Sequence, residues 1–387
     1  MGLITTTEDL ARFCDDAAKH PYVTVDTEFL RERTYFSQLC LIQIGFPGLG
    51  VDEIALVDPL ADGIDLSPIA TLFNDQNTVK VFHAARQDLE IFWHDLNVLP
   101  KPFFDTQIAA MVCGFGDQVG YETLVRKVAR AEMDKSSRFT DWSQRPLSDK
   151  QLTYAANDVT HLRVIYERLN EQIIAANREN WVEEEMSALL DPALYDIDPT
   201  NAWTRVRMRN AGGRTLAAAI ELAEFRERFA QDRNIPRGRV FKDDALLEVA
   251  ATRPKTEKEL SRARLLTRDA RHGDIANGIL KAVQKALNLS AADLPEKPPS
   301  PQNTPTSEAI ADMLRVLLKA VVDRENVAAK LVATASDLDA MARGERDLPM
   351  LKGWRRIVFG EDALKLVSGE TGLRVRNGKV ELVDLID

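Results

Sequence analysis

The alternation of apolar and polar residues predicts both strands and helices in the first half of the chain. Four short apolar runs, several of them β-branched, are typical of buried β-strands; they lie at residues 23–25, 39–45, 54–57 and 79–82. Short connections join the first three runs, which predicts an antiparallel meander. Ser67-Pro68 predicts a helix start before the fourth run. The residues after the fourth run, to about 180, are predicted to be mostly helical. We therefore predict an α/β fold with a mixed central sheet flanked by helices.

Two acids stand at the end of the first predicted strand. Asp26 and Glu28 are two positions apart, so on an extended strand their side chains point to the same face. Carboxylates this close repel each other unless a cation lies between them or one of them is protonated. A strand that simply ends in two acids as it enters a loop remains the alternative interpretation.

Further polar residues follow the fourth strand. His83 is predicted at the end of that strand, and Asp88 in the first turn of the next helix. Asp105 is predicted to cap the helix after that. Negative charge favours a helix N-terminus, so each acid has an ordinary structural explanation. We interpret His83 as either a structural residue or a contact to a substrate.

A third polar pair lies on a predicted helix. Ser148 and Gln151 form a capping box, which predicts that a helix begins there. Tyr154 and Asp158 are four residues apart, so they share one helix face at a separation of about 6 Å along the axis. Apolar residues surround them, and a Tyr–Asp pair at the rim of the core is the alternative to a functional site.

Length, cysteine content and charge narrow the class of protein. A chain of 387 residues is long enough for two or three domains, and its three cysteines form neither a zinc nor a disulfide pattern. Without a signal-peptide pattern or an apolar run of about 20 residues, the sequence predicts a soluble, cytoplasmic protein with no membrane contact. Residues 1–200 carry 17 Lys and Arg against 33 Asp and Glu, whereas residues 201–290 carry 19 against 11. This asymmetry favours an acidic, metal-binding domain joined to one that attracts polyanions, although a solvated basic surface has the same composition.

The second half of the chain is predicted to be helical and divided by a linker. Arg237 lies in a loop between two helices of the basic block, among several other arginines. A Pro-rich linker follows at residues 294–306, and Asn377-Gly378 predicts a type I′ hairpin turn near the end. The predicted domains are therefore residues 1–198, 199–293 and 307–387.

Taken together, these segments resemble the DEDD superfamily of 3′-to-5′ exonucleases, in the subgroup whose third motif is Tyr-x-x-x-Asp. Asp26 and Glu28 match the first motif, Asp88 the second, and Tyr154 with Asp158 the third. The resemblance is closest to the ribonuclease D family, at residues 26–29, 41–44, 104–107 and 141–147. It implies a ribonuclease H-like, mixed-sheet exonuclease domain followed by two small all-α HRDC-like domains. In such proteins the HRDC domain binds nucleic acid, and the more divergent second one is expected to pack back on the catalytic domain.

The resemblance also implies metal-dependent chemistry. Asp26, Glu28 and Asp158 would hold the ion that binds the attacking water, and Asp26 would bridge to a second ion supported by Asp88. Tyr154 would orient that water. Carboxylate oxygens are hard ligands, which favours two Mg²⁺ or Mn²⁺ ions.

Substrate contacts are expected beside this centre. Phe29 and Leu30 follow the first motif, where related enzymes wedge or stack the terminal nucleotides, although Phe29 is equally compatible with the core. His83 is a candidate contact near the catalytic acids. Arg237 is the candidate phosphate contact of the basic block.

The resulting hypothesis is a monomeric 3′-to-5′ exoribonuclease. It would trim structured RNA such as transfer RNA precursors and release nucleoside 5′-monophosphates. A DNA exonuclease of the proofreading or Werner type and a catalytically silent RNA-binding protein are the alternatives. The HRDC-like segments disfavour a proofreading enzyme, and the full set of acids with Tyr154 disfavours a silent protein. No P-loop sequence is present, so a helicase is excluded.

Overall fold

The computed structural model describes residues 2–48, 53–133, 140–208, 212–296 and 308–385. The chain divides into two compact units. The first contains Met1–Glu28, Cys40–Asp191 and Gln302–Asp387, and the second contains Phe29–Leu39 and Pro192–Pro301. The predicted Pro-rich linker lies, from residue 297 onward, outside the described residues.

Eight strands are found in the described part of the chain, and six of them form one mixed sheet. The strands are β1 Leu3–Ile4, β2 Tyr22–Leu30, β3 Gln38–Gly45, β4 Ile54–Val57, β5 Val79–Phe82, β6 Phe103–Asp105, β7 Thr371–Arg376 and β8 Lys379–Asp384. The sheet order is β1-β4-β3-β2-β5-β6. β3 and β4 are antiparallel, whereas β2 is parallel to β5 and β5 to β6. The predicted mixed sheet is confirmed, with short β1 and β6 as additional strands.

Helices account for most of the remaining described residues. The α-helices are α1 Thr7–Ala17, α2 Ser67–Asn74, α3 Arg86–Leu96, α4 Thr106–Val112, α5 Tyr121–Leu124, α6 Asp149–Ala175, α7 Glu179–Ser187, α8 Gly213–Asp232, α9 Arg237–Val240, α10 Asp243–Thr252, α11 Glu257–Leu260, α12 Gly273–Asn288, α13 Glu308–Glu325, α14 Ala329–Val332, α15 Ala335–Ala342, α16 Gly353–Arg355 and α17 Glu361–Ser368. Five 3₁₀ segments lie at Ala188–Leu190, Pro192–Leu194, Pro199–Arg205, Asp269–Arg271 and Pro349–Leu351, and two π segments at Val125–Ala129 and Arg356–Gly360.

The centre of the sheet is buried on both faces. In β3 every residue after Gln38 is buried, which explains why its sequence is apolar rather than alternating. Phe73 of α2 and Phe92 of α3 pack edge to face with their ring centroids 4.8 Å apart. The strand ends that carry the acids are therefore supported by a rigid, well-packed layer.

The C-terminal segment, residues 308–385, packs on the sheet-containing part of the first unit, as expected. The backbone amide of Ala328 donates to the carbonyl oxygen of Met111 at 2.9 Å. Trp354 stacks on Trp181 with ring centroids 4.3 Å apart, and its indole nitrogen donates to Glu185 at 3.0 Å. β7 and β8 close this segment as an antiparallel hairpin, whose turn residues Asn377 and Gly378 both have positive φ. The predicted type I′ turn is confirmed.

The second unit is a small helical domain built around α8. One face of α8 is rich in alanine and leucine and is buried. α12 packs closely against α8. A Cβ atom added to Gly278 of α12 would lie 2.0 Å from the ring of Phe225 of α8, so only glycine fits at this position. Tyr35, which precedes β3, belongs to this unit; its phenol donates to the buried Glu227, and its backbone amide donates to Asn234 at 3.0 Å.

Within the described residues, we find no helix with the length and apolar character needed to cross a membrane.

Candidate active site

Three of the predicted acids form one cluster. Asp26 and Glu28 project from the same face of β2, and Asp158 projects from α6. One carboxylate oxygen from each of the three lies within 4.8 Å of the others. In the described part of the chain, this is the group of acids that can share a metal ion.

Asp88 lies beside this cluster but is not one of its three members. It is buried in the first turn of α3, as predicted, and accepts a hydrogen bond from the hydroxyl of Thr27. Thr27 lies between Asp26 and Glu28 on β2, so this one strand supplies two of the clustered acids and a hydrogen bond to Asp88.

α6 carries Tyr154 and Asp158 on one face. The capping box of Ser148 and Gln151 begins this helix, as the sequence predicts. The ring of Tyr154 lies 6.1 Å from the buried ring of Trp142. The phenol therefore lies one helical turn before Asp158, beside the acids.

Tyr121, the first residue of α5, is a site residue that the sequence did not predict. Its phenol donates a hydrogen bond to the backbone carbonyl oxygen of Asp158. The local sequence gives no signal for this role, because a lone tyrosine at a helix start is common and its partner is 37 positions away.

Asp105 and Thr106 organise the end of β5. Asp105 caps α4 as predicted, accepting from the backbone amide of Gln107 at 2.7 Å, and it also accepts from those of Ala84 and Ala85 at 3.0 and 2.9 Å. Thr106 lies 3.0 Å from Nδ1 of His83. These contacts fix the turn in which Ala84 adopts positive φ and His83 faces the site.

A cavity of about 310 Å³ opens beside the acids. The predicted residues Asp26, His83, Tyr154 and Asp158 line it. It is also lined by residues that the sequence analysis missed, namely Gly120, Tyr121, Glu122, Thr123, Met133 and Leu162. The volume is at the lower end of the range for pockets that bind small molecules, which is about 300–1,000 Å³.

Burial and like charge act together on the acids. Loss of solvent and then the charge of Asp158 raise the pKa of Asp26 well above its usual range, against a backbone hydrogen bond from Thr27 that lowers it. Burial and then the charge of Asp26 raise the pKa of Asp88 in the same way. Burial, with Asp158 as the next cause, also raises the pKa of Tyr121, so this phenol stays a neutral donor. A cation among these acids would relieve their repulsion.

The remaining candidates belong to the second unit. Phe29 and Leu30 continue β2 directly after Glu28, and both are partly exposed. Arg237 begins α9, and its side chain is 46% exposed and lies 3.7 Å from Glu227. Their roles as substrate contacts stay predictions.

Two family models match the chain. Residues 1–174 match the 3′-5′ exonuclease model and residues 216–283 the HRDC domain model. A ribonuclease D from Jannaschia sp. is 54% identical over 382 residues, which cover 99% of both chains. The chain belongs to the ribonuclease D family of 3′-to-5′ exoribonucleases. A second family member, from Granulibacter bethesdensis, is 47% identical over 98% of this chain and 96% of that protein.

Solved structures agree with this family assignment. The crystal structure of Escherichia coli RNase D, described as an exoribonuclease involved in structured RNA processing, is 29% identical and superposes with a TM-score of 0.82. The match covers 95% of this chain and 98% of that one. The catalytic core of RRP6 from Trypanosoma brucei, 23% identical with a TM-score of 0.56 over 74% of this chain and 79% of that one, shares the fold. The predicted exonuclease fold, followed by a helical HRDC region, is therefore confirmed for this ribonuclease D family member.

Proposed function

We propose that this exoribonuclease uses two divalent metal ions, Mg²⁺ or Mn²⁺, to trim the 3′ ends of structured RNAs such as transfer RNA precursors. It releases one nucleoside 5′-monophosphate at a time. The grouping of Asp26, Glu28 and Asp158, with one oxygen of each within 4.8 Å of the others, carries this proposal.

The donor set fits hard divalent cations. All three members of the cluster offer carboxylate oxygens, the ligands that Mg²⁺ and Mn²⁺ prefer over Zn²⁺. The raised pKa of Asp26 has Asp158 as a cause, which means that each carboxylate makes the ionised form of the other unfavourable. In this proposal Asp26, Glu28 and Asp158 hold one ion, and Asp26 with Asp88 supports the second. When bound, such ions activate a water and stabilise the leaving 3′-oxygen.

The protein side chains orient the reacting groups. Tyr154 lines the cavity one turn from Asp158, where its phenol can hydrogen-bond the attacking water. Tyr121 holds the backbone of Asp158, which keeps that carboxylate directed at the cluster. Thr27 does the same for Asp88.

RNA affinity is assigned to the basic domain. Residues 201–290 have 19 Lys and Arg against 11 Asp and Glu, which favours phosphate contacts with little sequence specificity. Arg237 is the proposed phosphate contact, and Phe29 and Leu30 are the proposed contacts to the terminal nucleotides. We propose domain limits of 1–198, 199–293 and 307–387, the last a second HRDC-like domain. The monomeric state and a cytoplasmic location stay predictions.

Degradation of end-labelled RNA tests the proposal. A structured RNA with a single-stranded 3′ tail is labelled at either end and incubated with Mg²⁺, with Mn²⁺ or with EDTA. We expect the 3′ label to be released as a mononucleotide, a shortening ladder from the 5′ label, and no product in EDTA. A matched DNA oligonucleotide cut as fast as the RNA would favour a DNA exonuclease.

A substitution of one ligand tests the assigned site. Asp26→Asn removes a charge from the cluster and is expected to lower turnover by about a thousandfold, because the bound ions supply several kcal/mol of transition-state stabilisation. RNA binding, measured by filter retention, should persist. Asp62→Asn, the same change at an exposed acid, is the control. Normal turnover by the Asp26 variant would overturn the site assignment.

A further inference from the structure

The contacts of Thr106 assign one tautomer to the imidazole of His83. Its Nδ1 lies 3.0 Å from the hydroxyl oxygen of Thr106, and that hydroxyl donates to the backbone carbonyl oxygen of Phe82 at 3.0 Å. A hydroxyl has a single hydrogen, and with that hydrogen directed at Phe82 the oxygen of Thr106 accepts from His83. Nδ1 therefore carries the ring hydrogen.

The tautomer leaves the other ring nitrogen as an acceptor. Burial lowers the pKa of His83 although Asp105 opposes this effect, so the ring is neutral near pH 7. In a neutral imidazole with hydrogen on Nδ1, Nε2 presents a lone pair. Thr106 occupies the Nδ1 side, and the ring of Tyr121 lies beside the imidazole with centroids 5.2 Å apart. The Nε2 side is therefore the part of the ring that can face the cavity that His83 lines.

The wall of the cavity offers hydrogen-bond acceptors at this point. Asp26, Asp158 and His83 all line it, and carboxylates and this imidazole offer acceptors. A ribose offers hydroxyl donors, and the 2′-hydroxyl is the group by which proteins distinguish RNA from DNA. The volume of about 310 Å³ suits one terminal nucleoside rather than a duplex.

We propose that His83 is the specificity-determining residue for RNA, accepting at Nε2 a hydrogen bond from the 2′-hydroxyl of the 3′-terminal nucleotide. This inference rests on the proposed function and adds the origin of its sugar preference. The acids cannot supply this preference, because they act on a phosphodiester that RNA and DNA share.

Three RNAs that differ only in one 2′ substituent test the proposal. They share a sequence and a 5′ label, and their 3′-terminal nucleotide carries a 2′-hydroxyl, a 2′-hydrogen or a 2′-fluorine. The rate of removal of that nucleotide is measured as kcat/KM with Mg²⁺ for the full-length wild type and for His83→Leu. Fluorine accepts but does not donate, so it separates the two directions of the hydrogen bond.

We expect the wild type to remove the 2′-hydroxyl nucleotide about tenfold faster than the other two, the factor typical of one neutral hydrogen bond in a water-poor site. His83→Leu should remove all three at nearly equal rates. Each comparison uses one enzyme preparation, so partial unfolding of a variant cancels from the ratio. Thr106→Val removes the acceptor that holds the hydrogen on Nδ1. This variant should partly reduce the ratio of the rate for the 2′-hydroxyl substrate to the rates for the other two.

Two controls set the baseline. Tyr154→Phe should slow all three substrates by the same factor and keep the ratio. His20→Leu, at a histidine that stacks on Phe46, should change neither rate nor ratio.

A His83→Leu variant that retains the tenfold preference would overturn the proposal, as would a wild type that treats 2′-fluorine like 2′-hydroxyl. A wild type that degrades all three RNAs equally would refute the role of His83 while leaving the exoribonuclease activity intact. A wild type that degrades none of them would contradict the proposed function itself.

Discussion

Tyr121 and Asp158 are joined by a hydrogen bond from the phenol of the first to the backbone carbonyl oxygen of the second. Tyr121 begins the short helix α5, and Asp158 lies within the long helix α6. The bond holds the wall of the cavity against the helix that carries a candidate metal ligand. A residue that touches no proposed ligand atom can in this way determine where a ligand points.

Tyr121→Phe removes this bond while keeping the ring. We expect a loss of about 1 kcal/mol in the free energy of unfolding, because one buried hydrogen bond is lost. Turnover should fall about tenfold, as Asp158 is held less firmly. Urea denaturation and RNA degradation rates measure the two effects.

Tyr22→Phe is the matched control for that substitution. The phenol of Tyr22 donates to the carboxylate of Glu167 at 2.6 Å, and neither residue is among those that line the cavity. This variant should lose similar stability and keep its turnover. Equal activity in the two variants would refute the role of Tyr121.

Sequence reasoning succeeded where the signal was local. β4 and β5 coincide with the apolar runs at Ile54–Val57 and Val79–Phe82, and Ser148 begins α6 through its capping box. A strand or cap of this kind is determined by neighbouring residues, so the pattern reveals it.

The missed features depend on distant partners. β1 has two residues, too few to show a period, and it is a strand because Leu3 and Ile4 pair with β4. In the sequence, Thr27 only separates two acids, yet its hydroxyl donates a hydrogen bond to Asp88, 61 positions away. Such contacts form only when the chain folds, so no local sequence pattern predicts them.

Gly114 lies where the C-terminal segment packs on the sheet-containing part of the first unit. It has a φ of +79°, and an added Cβ would lie 2.5 Å from the backbone oxygen of Asn326. We expect Gly114→Ala to displace Asn326 and to weaken the neighbouring bond from Ala328 to Met111. Amide hydrogen exchange of residues 326–332 should become faster.

Gly116→Ala provides the control for this prediction. Gly116 also has a left-handed backbone, with a φ of +101°, but apart from its chain neighbours no described atom lies within 4 Å of an added Cβ. Both substitutions cost about 1–2 kcal/mol of backbone strain. Gly114→Ala alone adds the collision with Asn326, so a difference between the variants reports that contact. Identical exchange in the two variants would show that Gly114 does not determine the packing.

Arg237 tests the assignment of RNA binding to the basic domain. Its side chain is 46% exposed, and its nearest acid, Glu227, lies at 3.7 Å. We expect Arg237→Gln to raise the dissociation constant for RNA and to reduce the slope of log affinity against log salt by about one, as for the loss of one phosphate contact. Filter binding at several salt concentrations measures both.

The control for Arg237 removes the same charge elsewhere. Arg168 is an exposed residue of α6 paired with Glu171 at 3.4 Å. Arg168→Gln should leave the salt slope unchanged. A similar loss in both variants would mean that overall charge, and not the basic domain, determines the affinity.

Lys80 is fully buried in β5 and donates from its Nζ to three backbone carbonyl oxygens, those of Asp75 at 2.7 Å, Thr78 at 2.8 Å and Lys101. Lys80→Met keeps the aliphatic stem and leaves these carbonyls without their donor. We expect a loss of about 3 kcal/mol in the free energy of unfolding at pH 7.5. Lys101→Met, the same change at an exposed side chain, should cost little.

The same lysine predicts a dependence on pH. Burial lowers the pKa of Lys80 from 10.5 to about 8, against the charge of Asp75. Between pH 8 and 10.5 the unfolded chain therefore binds more protons at this residue than the folded chain, so its contribution to stability rises with pH. The difference in unfolding free energy between wild type and Lys80→Met should widen from pH 7.5 to pH 9.5 in urea titrations. A difference that narrows over this interval would mean that the folded protein favours the charged amine and that the three carbonyl contacts outweigh the cost of burial.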